Sequence, residues 1–355
     1  MMPRIQAIGL GVPQYCVPQR AVQELVAQRF APAFPEIQRY LTIFRHAQID
    51  TRYLVRPLEW WHEPRSFAEC NAIFIEEALN LSCQAIEACL QPLDLTPNDI
   101  DHLVVVTTTG LAAPSLDARL MQRLGMQPQT RRTPIWGLGC AGGLGGLNTA
   151  FDYLRAEPNQ RVLLINVEFC SLTYLADDFS KRNLIATSLF GDGVTAVLLE
   201  GDQVAPRGSG LGQIVGTLSH LYPDSAEIMG WNVVNSGFEV VFSSRIPSIV
   251  REEFRPLLEQ FLAQHGLSQA DLGRYLLHPG GAKVVQAYQE SLHLADADLA
   301  VSRAVLREYG NMSSATIFFV MQQALAAQPL AKDEYGLLAV FGPGFSAELG
   351  LIRGE

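Results

Sequence analysis

The sequence predicts an α/β protein built from two similar halves, and three observations carry that prediction. Short apolar, β-branched runs alternate with longer helical patterns along the whole chain. Runs such as HLVVV and VLLINV are almost continuously apolar, as strands buried on both faces are. The second half, from about residue 206, replays the order of the first, and each half ends in paired strands. The polar, Pro/Gly-rich segment Asp202–Leu211 (DQVAPRGSGL) reads as the joint between units 1–205 and 206–355. No repeat is visible residue by residue, so the duplication is an expectation about structure.

In chain order the predicted strands are Arg4–Gly9, His102–Thr108, Thr133–Gly137, Arg161–Glu168, Gly193–Leu199, Gly212–Ser219, Glu239–Phe242, Arg274–Leu277, Tyr335–Phe341 and Ala347–Ile352. Helices lie between them. Ser66–Leu90 is the longest, with apolar residues at three- and four-residue steps. Pro247–His265 opens on a proline near its first turn and stops at Gly266. Ser313–Ala327 is apolar nearly all round and is expected to be buried.

Composition bounds the function. A chain of 355 residues with 48% hydrophobic content can bury a large core, and 17% charge with 29 glycines fits a compact enzyme with tight turns. A net charge of −10 without a Lys/Arg-rich run argues against nucleic-acid or anionic-membrane partners, although a local arginine cluster could still serve an anionic substrate. The opening MMPRIQAIGLGVP reads as a strand and turn, not a signal peptide. No apolar run approaches the ~18–20 residues needed to cross a bilayer, so a soluble, cytoplasmic protein is expected. Cys16, Cys70, Cys83, Cys89, Cys140 and Cys170 form no CxxC or paired framework and read as reduced thiols.

Three segments could carry chemistry. In WGLGCAGGLGGLNTAFDYL, residues 136–154, a strand runs through a glycine-rich bend into a helix, with Cys140 at the bend. Free N–H groups and a partial positive charge at the helix start favour a thiolate there. The same segment contains GxGxxG at Gly137, Gly139 and Gly142, with Glu168 ending a later strand, so a nicotinamide-dependent dehydrogenase is a competing reading. In RYLLHPGGAKVV, residues 274–285, His278 sits at a strand's C-terminal end, where α/β sites gather. In EYGNMSSATIFFVMQQAL, residues 308–325, Asn311 follows a glycine before a helix, where it could also be a cap.

Cys140, His278 and Asn311, in that order and each at a glycine-flanked junction, resemble the Cys-His-Asn triad of the thiolase-fold condensing enzymes. Within these the chain is similar to the type III polyketide synthases, the plant chalcone synthases and their bacterial relatives. Leu189–Gly193 matches the family's LFGDG signature, and Gly342, Pro343 and Gly344 match its C-terminal GPG loop. The resemblance runs well from about residue 100 onward and loosely before it. Val340 stands where plant members usually have glycine, and the stretch CSLTYLADDFSKRNLIATSLFGDG is of the shorter, bacterial kind.

The resemblance implies a thiolase-like αβαβα layered fold and a homodimer. It implies an acyltransferase that loads an acyl-CoA starter on Cys140 and extends it with malonyl-CoA by decarboxylative condensation, with no metal and no other cofactor. His278 would hold Cys140 as thiolate, and His278 with Asn311 would stabilise the enolate oxygen. Phe190 falls on the aromatic gate between CoA tunnel and reaction cavity. Thr108, Thr109, Thr173 and Ser313 fall on cavity-lining positions, as does the GPG loop. Arg45, Arg52 and Arg56 are candidates for the CoA phosphates. A ketoacyl-carrier-protein synthase III is an alternative of similar fold and triad. Val240 falls at or near a second gate that is aromatic in plants, and Ala113 on the dimer-crossing position. Both are small, which implies room for an aliphatic starter and alkylpyrone or alkylresorcinol products, unless Trp231 or Phe238 refills the space.

Overall fold

The computed structural model describes residues 2–34 and 36–355. Its strands are β1 (Arg4–Gly11), β2 (Tyr15–Pro18), β3 (Thr51–Leu54), β4 (His102–Thr107), β5 (Arg131–Trp136), β6 (Arg161–Phe169), β7 (Asp192–Glu200), β8 (Gly212–Leu221), β9 (Met229–Val234), β10 (Gly237–Phe242), β11 (Leu272–Leu277), β12 (Tyr335–Gly342) and β13 (Ser346–Arg353). The helices are α1 (Gln19–Phe30), α2 (Ile37–Tyr40), α3 (Thr42–His46), α4 (Phe67–Leu90), α5 (Leu116–Leu124), α6 (Gly142–Ala156), α7 (Lys181–Leu189), α8 (Ile246–Ala263), α9 (Ala282–Leu292), α10 (Ala300–Tyr309) and α11 (Thr316–Ala327).

Nine strands form one mixed sheet in the order β11-β12-β13-β8-β1-β7-β6-β4-β5. In the first half, β1 runs antiparallel to β7, β7 antiparallel to β6, and β6 parallel to β4. In the second half, β8 runs antiparallel to β13, β13 antiparallel to β12, and β12 parallel to β11. The same sequence of pairings thus occurs twice. The halves meet where β1 and β8 pair through Arg4↔Gln213 and Ile5↔Gly212.

Side-chain alternation explains the layering. Leu163, Ile165 and Val167 of β6 face α4 and α5, whereas Val162 and Leu164 face the central helices α6 and α11. In β12, Leu338 and Val340 face the same central layer, and Leu337, Ala339 and Phe341 face α8 and α9. The two halves of the one sheet thus flank the central helices, with α4 and α5 outside one half and α8 and α9 outside the other, and strands apolar on both faces are the signature of this layering. Helix α11 lies in the middle layer, with Thr316 through Met321 all fully buried, as its all-round apolar pattern requires. Helix α4 begins at a reciprocal cap: Glu69 N–H donates to Ser66 Oγ at 3.2 Å and Ser66 N–H donates to Glu69 Oε2 at 2.9 Å.

The structure departs from the sequence reading in small elements. Strands β2, β3 and β9 were not foreseen; β2 pairs with β3, and β9 with β10. Residues 313–315 form a separate single turn before α11.

Candidate active site

Gly137 and Gly139, at φ +97° and +50°, swing the chain from β5 into a single tight turn, Gly139–Ala141, that runs on into α6. Only glycine adopts these angles at low cost. The turn is pinned by Gly139 N–H donating to Thr108 Oγ1 at 2.9 Å. Cys140 lies in it, buried.

Asn311 reaches the same point from the other half. Its Oδ1 and Nδ2 lie 3.9 and 4.0 Å from Cys140 Sγ. Nδ2 donates to the Gly280 carbonyl at 3.1 Å, and Oδ1 accepts from Ser313 N–H at 2.9 Å. Its backbone pairs with the LFGDG segment: Asn311 N–H donates to the Leu189 carbonyl at 2.8 Å, and Gly191 N–H donates to the Asn311 carbonyl at 3.0 Å. His278 follows β11, buried, two residues before Gly280, and neither ring nitrogen has a hydrogen-bond partner among the described residues.

Burial dominates the electrostatics. It pushes the Cys140 thiol up to about 11, against the Ser313 and Asn311 side chains, which pull it down. It pushes the His278 imidazole down to about 3. Both shifts favour neutral forms, so the thiolate expected at the head of α6 is opposed by desolvation.

Two adjoining cavities meet this cluster. The inner one is lined by Cys140, Phe190, Trp231, Val240, Ser313 and Pro343. The second shares Cys170, Phe190, Trp231 and Val240 with it, includes Thr173, and runs to Val22, Leu25 and Val26 of α1. Trp231 takes the room left by Val240, its ring centroid 6.0 Å from that of Phe190.

Other expected residues fall elsewhere. Thr108 and Thr109 do not line either cavity; they stand behind Cys140 as polar pins. Gly342 and Gly344 also lie outside the cavity walls. A Cβ on Gly342 would come within 2.4 Å of the Ala141 Cβ, so its bare backbone is what lets the GPG loop press on the cysteine turn. Ala113 is exposed on a surface loop. Arg52 is not a surface phosphate ligand: it is buried, and its guanidinium donates to the carbonyls of Thr187, Phe190 and Ser188 at 2.7, 2.6 and 2.9 Å and to Gln19 Oε1. It clamps the C-terminal end of α7, where a cation meets unpaired carbonyls. Arg56 pairs with Glu77 of α4 at 2.6 Å, and Arg45 is exposed at the end of α3.

The GxGxxG reading fails on packing. A Cβ on Gly139 would sit 2.6 Å from the Pro343 ring, and one on Gly142 2.6 Å from a Val106 methyl. Gly139 and Gly142 thus admit neighbouring protein where a pyrophosphate would have to approach, and Gly137 alone faces open space. Glu168, first noticed only as part of that decoy, has a different task. Fully buried, it accepts from Thr108 N–H, Thr109 Oγ1 and Ser314 Oγ at 3.1, 2.9 and 2.6 Å, tying the end of β4 to the turn after Asn311. Burial raises its carboxyl to about 7 against those hydrogen bonds. Its position at a strand end was the available signal.

A duplicated layered fold with a cysteine turn from one half meeting an asparagine from the other defines a thiolase-fold condensing enzyme. The comparisons narrow this. The family model for the chalcone and stilbene synthase N-terminal domain matches residues 2–203, and that for the C-terminal domain matches residues 213–354. A chalcone synthase-type protein of Bacillus subtilis (strain 168) is 42% identical over 100% of this chain and 99% of its own length. The 1,3,6,8-tetrahydroxynaphthalene synthase of Streptomyces peucetius subsp. caesius is 38% identical over 98% of this chain and 92% of its own. The crystal structure of the Streptomyces coelicolor A3(2) enzyme of that name superposes with a TM-score of 0.91 at 29% identity, covering 99% of both chains. The chain belongs to the chalcone and stilbene synthase family, and is an acyltransferase of the type III polyketide synthase class.

Proposed function

We propose that Cys140 accepts an aliphatic acyl group from CoA and that the chain then extends it with malonyl-CoA, releasing alkylpyrones or alkylresorcinols. The observation that carries this reading is the approach of the Asn311 amide to within 4.0 Å of Cys140 Sγ, at the end of an apolar cavity.

In loading, Cys140 sulfur attacks the thioester carbonyl, its proton passes to His278, and CoA leaves as the thiol. Burial keeps the His278 imidazole unprotonated before loading but also weakens it as a base, so the proposed transfer forms the imidazolium and the thiolate together as an ion pair. Malonyl-CoA then loses CO₂, and negative charge gathers on its thioester oxygen. An amide nitrogen carries two hydrogens. One of Asn311's is bonded to Gly280, which leaves the other for that oxygen, beside a His278 N–H. The carbanion attacks the Cys140 thioester and the cycle repeats. The reaction as proposed draws its driving force from decarboxylation and uses no metal or prosthetic group.

The apolar second cavity supports an alkyl starter, each buried methylene contributing about 0.8 kcal/mol. Arg45 remains a candidate for the CoA phosphates. The chain is proposed to work as a cytoplasmic homodimer. Incubation with malonyl-CoA and a panel of acyl-CoAs, with products read by mass spectrometry, tests the proposal. A preference for aromatic starters over every fatty acyl-CoA would overturn the aliphatic reading, and strict dependence on a carrier protein would overturn the use of CoA thioesters.

A further inference from the structure

Arg52 stands on β3, opposite Val17 of β2, and its side chain is buried. Its two terminal nitrogens serve one short stretch of chain. Nη1 donates to the Thr187 and Phe190 carbonyls at 2.7 and 2.6 Å, and Nη2 donates to the Ser188 carbonyl at 2.9 Å and to Gln19 Oε1. Gln19 Nε2 donates to the same Ser188 carbonyl at 2.9 Å. Peptide groups of an extended segment point alternately to its two sides. On one side of Phe190, the Leu189 carbonyl and the Gly191 N–H hold the Asn311 backbone at 2.8 and 3.0 Å. On the other side, the Phe190 carbonyl meets Arg52. Asp192 then accepts from Val55 N–H at 2.9 Å, so the chain at the end of β3 holds the same segment at a second point. Residues 189–191 are thus clasped between Arg52 and the residue whose amide reaches Cys140.

We infer that Arg52 is a positioning residue: by fixing the back of the 189–191 segment it sets where the Asn311 amide stands relative to Cys140, and so governs the decarboxylation step. The inference rests on the condensing reading above and adds to it a residue that acts through the chain. Loading as proposed uses the sulfur and His278, whereas the enolate needs a donor at a defined point, where a displacement of about 1 Å can cost on the order of 10²-fold. Lysine cannot stand in for the planar fork. Its ammonium is a compact charge on a flexible stem and does not span the three carbonyls that the guanidinium meets together.

Arg52→Lys keeps a positive charge within electrostatic reach of Asp192 and removes the fork. Release of CO₂ from malonyl-CoA should fall about tenfold or more, while acyl transfer to Cys140, followed by intact-protein mass spectrometry, changes by less than about threefold. Arg4→Lys is the matched control. Arg4 is also buried, donates to Glu200 at 2.7 Å and to the Val204 carbonyl at 2.9 Å, and begins β1 at the end away from the Gly11↔Val194 pair beside LFGDG. It should lower Tm without changing the ratio of the two rates. Equal loss of both steps in Arg52→Lys, loss of neither, or the same change of ratio in Arg4→Lys overturns the inference. Should Arg52→Lys fail to fold, Gln19→Met, which takes one partner from Arg52 and one from the Ser188 carbonyl, should shift the ratio in the same direction by about threefold, and an unchanged ratio overturns it. If the wild type neither loads nor releases CO₂, the condensing reading falls instead. The positioning role is then judged by hydrogen–deuterium exchange: peptides over 186–192 and 308–313 should exchange about tenfold faster in Arg52→Lys and not in Arg4→Lys, and unchanged exchange overturns it.

Discussion

At Asn311, the amide nitrogen donates to the Gly280 carbonyl and lies 4.0 Å from Cys140 Sγ, and its second hydrogen is the one proposed for the developing oxyanion. Asn311→Ala should therefore lower malonyl-CoA decarboxylation by about 10²–10³-fold while slowing acylation of Cys140 far less. Release of CO₂ and the mass of the acyl-enzyme read the two steps separately, and equal collapse of both would refute this division of roles. Cys140→Ala should abolish product formation with the circular dichroism spectrum unchanged, because the other thiol of the inner cavity, Cys170, is held protonated by burial, which pushes it well above its ordinary value. Glu348 lies away from this chemistry and makes a pH prediction of its own. Buried between Ser219 and Asn148, which donate to it at 2.6 Å each, its carboxyl is raised to about 7 by desolvation. A raised carboxyl contributes stability that is full below its unfolded value near 4.5 and lost as pH rises through about 7. Glu348→Gln should accordingly raise Tm by a few degrees at pH 8 and change it little at pH 5. The unpartnered Oδ1 of Asn148, turned over, would accept from the new amide.

Helix α6 depends on what its first turns lack. A Cβ on Gly139 would meet the Pro343 ring at 2.6 Å in a residue already at φ +50°. Gly139→Ala should thus cost about 1–3 kcal/mol and push the cysteine turn off the GPG loop, lowering condensation at least tenfold. Thermal melts and product yield measure both effects, and a variant of wild-type activity would show that the loop tolerates the shift. These elements also mark how far the sequence could be read. Cys140, His278 and Asn311 were legible because each sits at a glycine-flanked junction between regular elements, where the chain itself announces a change of direction. The long strands were legible because burial on both faces leaves them nearly free of polar residues. Strand β9 was not: its outer half, Asn232 to Val234, is exposed, and the Asn235-Ser236 connection to β10 lacks the Asn-Gly or Asp-Gly signal of a hairpin. The task of Arg52 was hidden for another reason. Its carbonyl partners lie more than 130 residues away, and only the fold shows that the guanidinium points inward.

At the scale of the molecule, the nine-strand sheet ends in β11 on one side and β5 on the other. Strand β5 ends the nine-strand order, and beside it Leu111 and Trp136 are 42% and 45% exposed. The strand itself carries exposed Arg131, Arg132 and Pro134, so it is these two apolar side chains that offer a surface for the proposed second copy. Light scattering should give twice the 39.0 kDa chain mass, and Leu111→Asp should shift the population toward monomer. A monomeric wild type at micromolar concentration would count against the dimer. Within the chain, the halves share few strand pairs, yet the β-bridge that sets Phe190 opposite Asn311, held by the backbone bonds of Leu189 and Gly191 to Asn311, crosses between them at the reaction centre. Its consequence is kinematic. On the proposed reading of Phe190 as a gate between the two cavities, a doorway whose frame is fastened to the workbench cannot swing as a panel; only the ring can turn in its rotamers, while the backbone on either side keeps the amide still. Changing the ring at 190 should then alter which chains pass without detuning the step that follows, so that lineages of such proteins can drift in what they admit while what they do to it stays fixed.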